Sequence, residues 1–321
     1  VQRRALITGI AGQDGSYLAE LLVARGYDVT GVVRDAAHSD LSRLAAVRDR
    51  VSLVSGDLLA PATLRDALGA VRPHELYHLA APTFVPTSWE EPAGIVEAIG
   101  AATAQLLTDA RRLDPEMRIL VATSSEIFGD AGESPQHERS PMRPRSPYAV
   151  AKLAAHGMVG ALREHFGLFV VSAITYNHES PRRPDRFLPR KVTRAAAAIA
   201  LGQQEEIVLG DLGAVRDWSH AADVVRGLHL ALQADAPADY VFASGRGRTV
   251  GDLVDAAFAA AGVSTEGRVR VDPAFVRGAE PTLLIGDASR AHRVLGWAPE
   301  ITFEALIAEM VAADRAALAA G

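Results

Sequence analysis

Tyr148 and Lys152 stand four residues apart in RSPYAVAK, a spacing that puts a phenol and an ammonium on one helical face. Upstream, ATSSEIFG brings Ser124, Ser125 and Glu126 to the end of the apolar run Ile119 to Val121. A hydroxyl pair, a carboxylate, a phenol and an ammonium are the parts for moving protons alongside a hydride. A free tyrosine is a poor base, with a pKa of about 10, and a neighbouring ammonium favours its phenolate. Tyr148 could then deprotonate a carbinol that also hydrogen-bonds to Ser124. Two plainer readings stand beside this one. A YxxxK spacing arises by chance, and Glu126 could simply cap the turn that follows it.

The elements that position these residues alternate. The strand Ala5 to Thr8 runs into GIAGQDG, with Gly9, Gly12 and Gly15 three residues apart, and then into the helical pattern of SYLAELLVARGY. A glycine-rich strand-to-helix turn lets the backbone approach a pyrophosphate, whose charge the helix N-terminus stabilises. Gly9, Gly12, Gln13, Asp14 and Gly15 are therefore cofactor-binding candidates, and an ordinary tight turn is the alternative. The second strand, Asp28 to Val33, ends at Arg34, which suits a 2′-phosphate and favours NADP, with NAD possible. Asp35 would repel that phosphate, and a solvated Arg34–Asp35 pair is the alternative. Val51 to Leu53 is a third strand leading to Gly56-Asp57-Leu58, where Asp57 could accept from an adenine amino group. A fourth strand, Glu75 to Leu79, is followed by Ala80 and Ala81, whose small side chains let a cofactor lie against Leu79 and the strand end. His78 is expected to pack in the sheet. With a dinucleotide placed there, Lys152 could also hold the nicotinamide ribose.

A long helix over 91–113, the strand 118–122, the helix 147–166 and the strand Phe169 to Thr175 continue the alternation. It predicts an α/β fold: a doubly wound parallel sheet of Rossmann type. After Tyr176 the composition shifts. NHESPRRPDRFLPRK holds five Arg and Lys residues and three prolines, an irregular, positively charged wall. The domain reading is a dinucleotide-binding domain over 1–176 plus about 218–245. A smaller mixed α/β C-terminal substrate lobe takes 177–217 and 246–321.

Composition sets limits. The 321 residues are 49% apolar and 22% charged, enough for a large core in one α/β domain with a smaller lobe. A net charge of −6 argues against nucleic-acid or anionic-membrane partners. With no cysteine there is neither a disulfide nor a thiolate metal site, and no metal is expected. There is no long apolar run to span a membrane, and VQRRALITG leads straight into a strand without a signal peptide, so a cytoplasmic location is expected.

These motifs together resemble the extended short-chain dehydrogenase/reductase family across nearly the whole chain. TGIAGQDGSYLAELL, RSPYAVAK, NHESPRR, RDW and GDASRAHRVLGWAP look most like its GDP-mannose 4,6-dehydratases. The resemblance implies an NADP-dependent hydro-lyase acting on a nucleotide diphosphate sugar, GDP-mannose in the first instance. Tyr148 would take the 4-hydroxyl proton, Glu126 the C5 proton, and Ser124, Ser125 or Glu126 would protonate the departing water. Asn177 and Arg216 would contact the diphosphate, Lys191 and Arg277 the nucleotide, Glu280 its ribose or base, and His178 would lie near the nicotinamide. Homodimers or homotetramers through helices around 95–110 and 148–165 are implied as well. The chain departs from the pattern at Ser124 (usually Thr), Pro82-Thr83 (Gln-Ser), Leu188-Pro189 (Val-Thr), Gly278 (Pro) and Arg34-Asp35 (Arg-Arg-Ser-Ser). Alternatives are a GDP-4-keto-6-deoxymannose reductase, a nucleotide-sugar epimerase and, in another class, a non-catalytic dinucleotide-binding protein.

Overall fold

The computed structural model describes residues 2–275 and 283–320. Its strands are β1 (Arg4–Thr8), β2 (Asp28–Val33), β3 (Val51–Ser55), β4 (Glu75–His78), β5 (Arg118–Ala122), β6 (Val170–Thr175), β7 (Asn177–Glu179), β8 (Ile207–Leu209), β9 (Val215–His220), β10 (Asp239–Phe242), β11 (Gly247–Thr249) and β12 (Val269–Val271). Its α-helices are α1 (Gln13–Ala24), α2 (Pro61–Val71), α3 (Pro92–Val96), α4 (Ala102–Leu113), α5 (Pro147–Phe166), α6 (Leu188–Ala200), α7 (Ala221–Gln233), α8 (Val250–Ala261), α9 (Ser289–Leu295) and α10 (Phe303–Ala319).

Seven strands form one parallel sheet in the order β10-β6-β5-β4-β1-β2-β3. Consecutive apolar residues in its strands serve opposite faces, as both faces of a parallel sheet are covered. In β1, Ile7 enters a core with Leu18 and Leu22 of α1, Val224 and Leu228 of α7, and Trp297. Its neighbour Leu6 enters the other core, with Leu64 and Leu68 of α2, Leu106 of α4 and Val159 of α5. The strand order reverses between β1 and β4, and the crevice at that switch point is where such sheets bind ligands.

The second lobe packs α6, α8 and α10 around Val192, Trp218, Leu253, Phe258 and Met310. Asp314 of α10, fully buried, accepts from Arg190 Nε at 2.7 Å and Thr193 Oγ1 at 2.7 Å, which fixes α10 on α6. Four short strands lie outside the sequence reading. β7, β9 and β11 form a three-stranded sheet, and β12 pairs with β8. β9 reads VRDWSH, where Asp217, Ser219 and His220 are buried beside Trp218, so no polar–apolar alternation marks it. The long helix expected over 91–113 is present, but a π-helical turn at Glu97–Ala101 joins α3 to α4. Residues 289–297, expected in the second lobe, pack instead with the sheet: Trp297 stacks edge-on against Phe242 at 5.0 Å and donates to the Asp223 carbonyl at 2.7 Å.

No helix among the described residues is long and apolar enough to cross a membrane. Among the same residues there is no cluster of His, Asp and Glu suited to a metal ion.

Candidate active site

The glycine-rich turn sits at the switch point. Gly9 has φ +75°, and a Cβ there would meet the Ala80 nitrogen at 2.9 Å. A side chain at Gly15 would lie 2.2 Å from the Gly9 carbonyl oxygen, so α1 can follow the turn this closely only without one. Gly12 is the N-cap of α1 and offers no side chain to its first-turn N–H groups. Such an end is ready for an anion. Thr8 Oγ1 accepts from the backbone N–H groups of Leu79 and Ala80, each at 3.1 Å, and pairs with His78 Nδ1 at 2.8 Å. That latch holds the ends of β1 and β4 together. Burial, and after it the Lys152 charge, push His78 down to about 3, so it stays neutral within the sheet.

α5 carries Tyr148 and Lys152. Ser146 caps it by accepting from the Ala149 N–H at 3.1 Å, and Pro147 occupies the first turn. Both functional side chains are buried. Lys152 donates to the Ala122 carbonyl at 2.7 Å, and its Nζ stands 5.9 Å from the Tyr148 ring centroid. Burial lowers Lys152 to about 8, with Asp14 opposing. Tyr148 is pushed up to about 12 by burial first and by the Glu126 charge, against a hydrogen bond from Ser124 and the Arg183 charge. The sequence reading has Lys152 lowering the phenol. In this structure the ammonium is turned to the Ala122 carbonyl and burial prevails.

Ser124 caps the short 3-10 turn Ser125–Ile127, its Oγ accepting from the Glu126 N–H at 3.3 Å. Glu126 is half-buried beside the phenol. Hydroxyl, carboxylate and phenol thus converge at the end of β5.

The end of β6 closes the site from the other side. His178 Nδ1 faces the Tyr176 carbonyl at 2.7 Å, and Nε2 faces Asp14 Oδ2 at 2.9 Å. Both ring nitrogens therefore meet acceptors, which favours the imidazolium. Burial opposes the charge, but Asp14 outweighs it and the pKa is raised. Asp14 itself is pushed up by burial and more than offset by His178, so it lies below the usual carboxylate range. Gln13 donates to the His178 carbonyl at 3.0 Å and accepts from Ser180 Oγ at 2.8 Å. The glycine turn and the segment after β6, far apart in sequence, are bolted together here.

The remaining candidates are placed as follows. Arg34 is exposed at the end of β2. Asp35 turns into its own loop, accepting from the Ala37 N–H at 2.8 Å and pairing with His38 at 2.7 Å. Asp57 accepts from the Leu59 N–H at 2.9 Å. Leu58, Leu79, Ala80 and Ala81 are half-buried, the last three along the switch-point crevice. Asn177 opens β7, and Arg216 lies on β9, donating to the Val215 carbonyl at 2.7 Å. Lys191 is exposed and donates to the Val208 carbonyl at 3.0 Å, within the second lobe. Arg277 and Glu280 lie outside the described residues. Sequence reasoning does not single out Glu179 and Arg183. Glu179 is buried, with Arg183 Nε 3.1 Å from it, yet neither carboxylate oxygen has a well-aligned donor. Burial first raises its pKa, against the Arg183 charge. The NHESPRR run is the available signal, but it does not say which arginine turns inward.

The comparisons agree with this geometry. The family model described as GDP-mannose 4,6 dehydratase matches residues 6–310. A Caenorhabditis elegans protein named GDP-mannose 4,6 dehydratase 2 is 40% identical over 98% of this chain and 90% of its own length. GDP-mannose 4,6-dehydratase of Sinorhizobium fredii is 40% identical over 97% and 96%. Among solved structures, RMD from Pseudomonas aeruginosa complexed with NADPH superposes with a TM-score of 0.83 at 26% identity, covering 98% of this chain and 100% of that one. UDP-glucose 4-epimerase of Thermus thermophilus, in complex with NAD, gives 0.84 at 27%, covering 98% and 99%. A family match over residues 6–310, with relatives 40% identical over nearly the whole chain, fixes the assignment: the chain belongs to the GDP-mannose 4,6-dehydratase family.

Proposed function

We propose that this nucleotide-sugar 4,6-dehydratase, a hydro-lyase, converts GDP-mannose to GDP-4-keto-6-deoxymannose with NADP as a recycled cofactor. The single observation that carries the reading is the convergence of Glu126 with Ser124 and Tyr148 at the end of β5. A reductase or epimerase needs the phenol and the ammonium; a carboxylate at this point adds the means to remove a carbon-bound proton.

The crevice fits a dinucleotide. The side-chain-free cradle of Gly9, Gly12 and Gly15 and the uncapped start of α1 would hold its pyrophosphate, and Leu79 to Ala81 would flank it. Arg34 favours NADP over NAD. The repulsion expected from Asp35 is blunted, because that carboxylate is engaged by Ala37 and His38. When bound, the nicotinamide supplies hydride acceptance from C4 and hydride return to C6.

The chain's own residues handle the protons. Tyr148 Oη takes the proton of the C4 hydroxyl, with Ser124 hydrogen-bonded to the same oxygen. At about 12, the phenol of the ligand-free chain is protonated at neutral pH, so the reaction needs positive charge near it. Lys152, at about 8, is mostly protonated and can supply some if it turns from the Ala122 carbonyl. Oxidation at C4 makes the C5 proton acidic, and Glu126 removes it as the C6 hydroxyl leaves as water. Ser124, Ser125 and Glu126 are the groups at hand to protonate that leaving oxygen. Burial of Tyr148, Ser124 and Ser125 keeps bulk water away from the ketone.

The proposal includes assembly as a homodimer or homotetramer, supported by Val96 of α3 and Val150 of α5, 40% and 48% exposed. It also keeps the cytoplasmic location, which the cysteine-free composition suits. The test is incubation with GDP-mannose and a trace of NADP⁺. Loss of one water per sugar without accumulation of NADPH supports the reading. Turnover only of a 4-keto sugar, with added NADPH consumed stoichiometrically, would replace it with the reductase.

A further inference from the structure

The arginines of the segment after β7 divide by what they touch. Arg182 Nη2 binds Glu20 at 2.6 Å, Nη1 binds Ser16 Oγ at 3.0 Å, and the guanidinium covers the Tyr17 ring at 4.0 Å. Arg183 faces the buried Glu179 and lies 3.6 Å from the Phe187 ring centroid. Arg190 is tied to Asp314 at 2.7 Å. Arg186 differs from all three. It is exposed, and among the described residues its guanidinium contacts only two aromatic faces, Phe84 at 5.4 Å and Phe187 at 5.5 Å. The nearest acidic neighbour in sequence, Asp185, is already directed at Arg190 (3.9 Å) and Arg194 (3.6 Å).

The two rings meet edge to face at 5.6 Å and 85°. They come from opposite walls. Phe187 is the N-cap of α6 in the second lobe. Phe84 belongs to the loop after β4, whose Ala81 and Val85 pack against the apolar cluster that contains Tyr148, Ile95 and Ile99. Arg186 is therefore held at the rim of the cleft beside the phenol, where both cation–π contacts fall within the roughly 6 Å range of such attractions. Its planar fork keeps its N–H donors for a ligand. A guanidinium with restricted motion and open donors suits the paired oxygens of a phosphate.

We propose that Arg186, positioned by Phe84 and Phe187, binds the diphosphate of the nucleotide-sugar substrate. This rests on the nucleotide-sugar reading above. The alternative source of the same chemistry is a phosphate of the dinucleotide, and the experiment separates the two.

The test is calorimetric titration of the NADP-loaded protein with GDP, UDP and dTDP, and separately of the apo-protein with NADP⁺. Arg186→Met keeps an apolar stem on the rings and removes the donors. It should weaken nucleoside-diphosphate binding about tenfold to a hundredfold, the range of a lost charge-assisted pair, with NADP⁺ binding changed less than about twofold. Arg186→Lys should recover part of the loss, because it restores a point charge without the fork. Phe84→Leu should weaken GDP less than Arg186→Met does. Unchanged GDP affinity in Arg186→Met overturns the proposal, and so does a loss confined to NADP⁺. If the parent binds UDP or dTDP in place of GDP, the GDP-mannose reading fails and Arg186 is judged on the diphosphate that binds. Binding of no nucleoside diphosphate overturns both.

Discussion

Replacing Lys152 with methionine should stabilise the ligand-free protein near neutral pH while removing its activity. The lysine is 5% exposed, and burial lowers it from 10.5 to about 8. At 1.36 kcal/mol per pH unit, that fall corresponds to a cost of about 3 kcal/mol for keeping the ammonium charged in the folded chain. Methionine removes the cost and fills similar space, but it strands the Ala122 carbonyl that Nζ now serves at 2.7 Å. A lost hydrogen bond of this kind costs about 1–2 kcal/mol. The balance is a gain of about 1–2 kcal/mol, read as a rise in Tm of roughly 1–3 °C for a chain of 321 residues. The pH dependence identifies the cause. Between the folded value of about 8 and an unfolded value near 10.4, the unfolded chain binds more protons, so parental stability rises with pH across that window. Below about pH 8 the full cost is present. The variant's advantage should therefore be greatest at pH 7 and vanish or reverse by about pH 10. Calorimetric melts of both proteins at pH 7, 8.5 and 10 measure this. A variant less stable than its parent at pH 7, or a difference that does not shrink with pH, would refute the electrostatic reasoning.

Glu126→Gln keeps the shape of the side chain but cannot accept a carbon-bound proton. It should bind NADP⁺ within about twofold of the parent and lose dehydration by about 100- to 10,000-fold, measured in single turnovers. Asp217, fully buried, accepts from the backbone N–H groups of Ser244, Gly245 and Gly286 and from Ser244 Oγ. Asp217→Ala strands these donors and should cost about 3–5 kcal/mol in urea unfolding, with an unchanged m-value. Gly15→Ala places a Cβ 2.2 Å from the Gly9 carbonyl oxygen, so the turn must open, and NADP⁺ affinity should fall at least tenfold (about 1.4 kcal/mol) by fluorescence titration.

The first half of the fold is legible because each parallel strand is a short apolar run between glycine- or proline-marked turns. The sequence reading places β1 to β6 and α5 within a residue or two. It misses β7, β9 and β11, where partners distant in sequence bury polar residues such as Asp217 and His220. Local pattern cannot report a strand whose polar side chains are satisfied from elsewhere. The same limit holds in the candidate site. Tyr148 and Lys152 share one helix, so their spacing can be read directly. The pairing of Asp14 with His178 spans 164 positions and exists only once β6 returns beside α1. The arginine-rich run announces positive charge, yet only packing distinguishes Arg182 and Arg183, which have carboxylate partners, from Arg186, which stands between two rings.

The central claim is that one site oxidises C4, removes water across C5 and C6, and restores its own cofactor. GDP-mannose deuterated at C4, supplied with unlabelled NADP⁺ in trace amount, tests it most directly. The expected product is a 4-keto-6-deoxy sugar carrying the deuterium on C6, with no labelled NADPH accumulating. Deuterium retained at C4, or lost stoichiometrically to free NADPH, would contradict it.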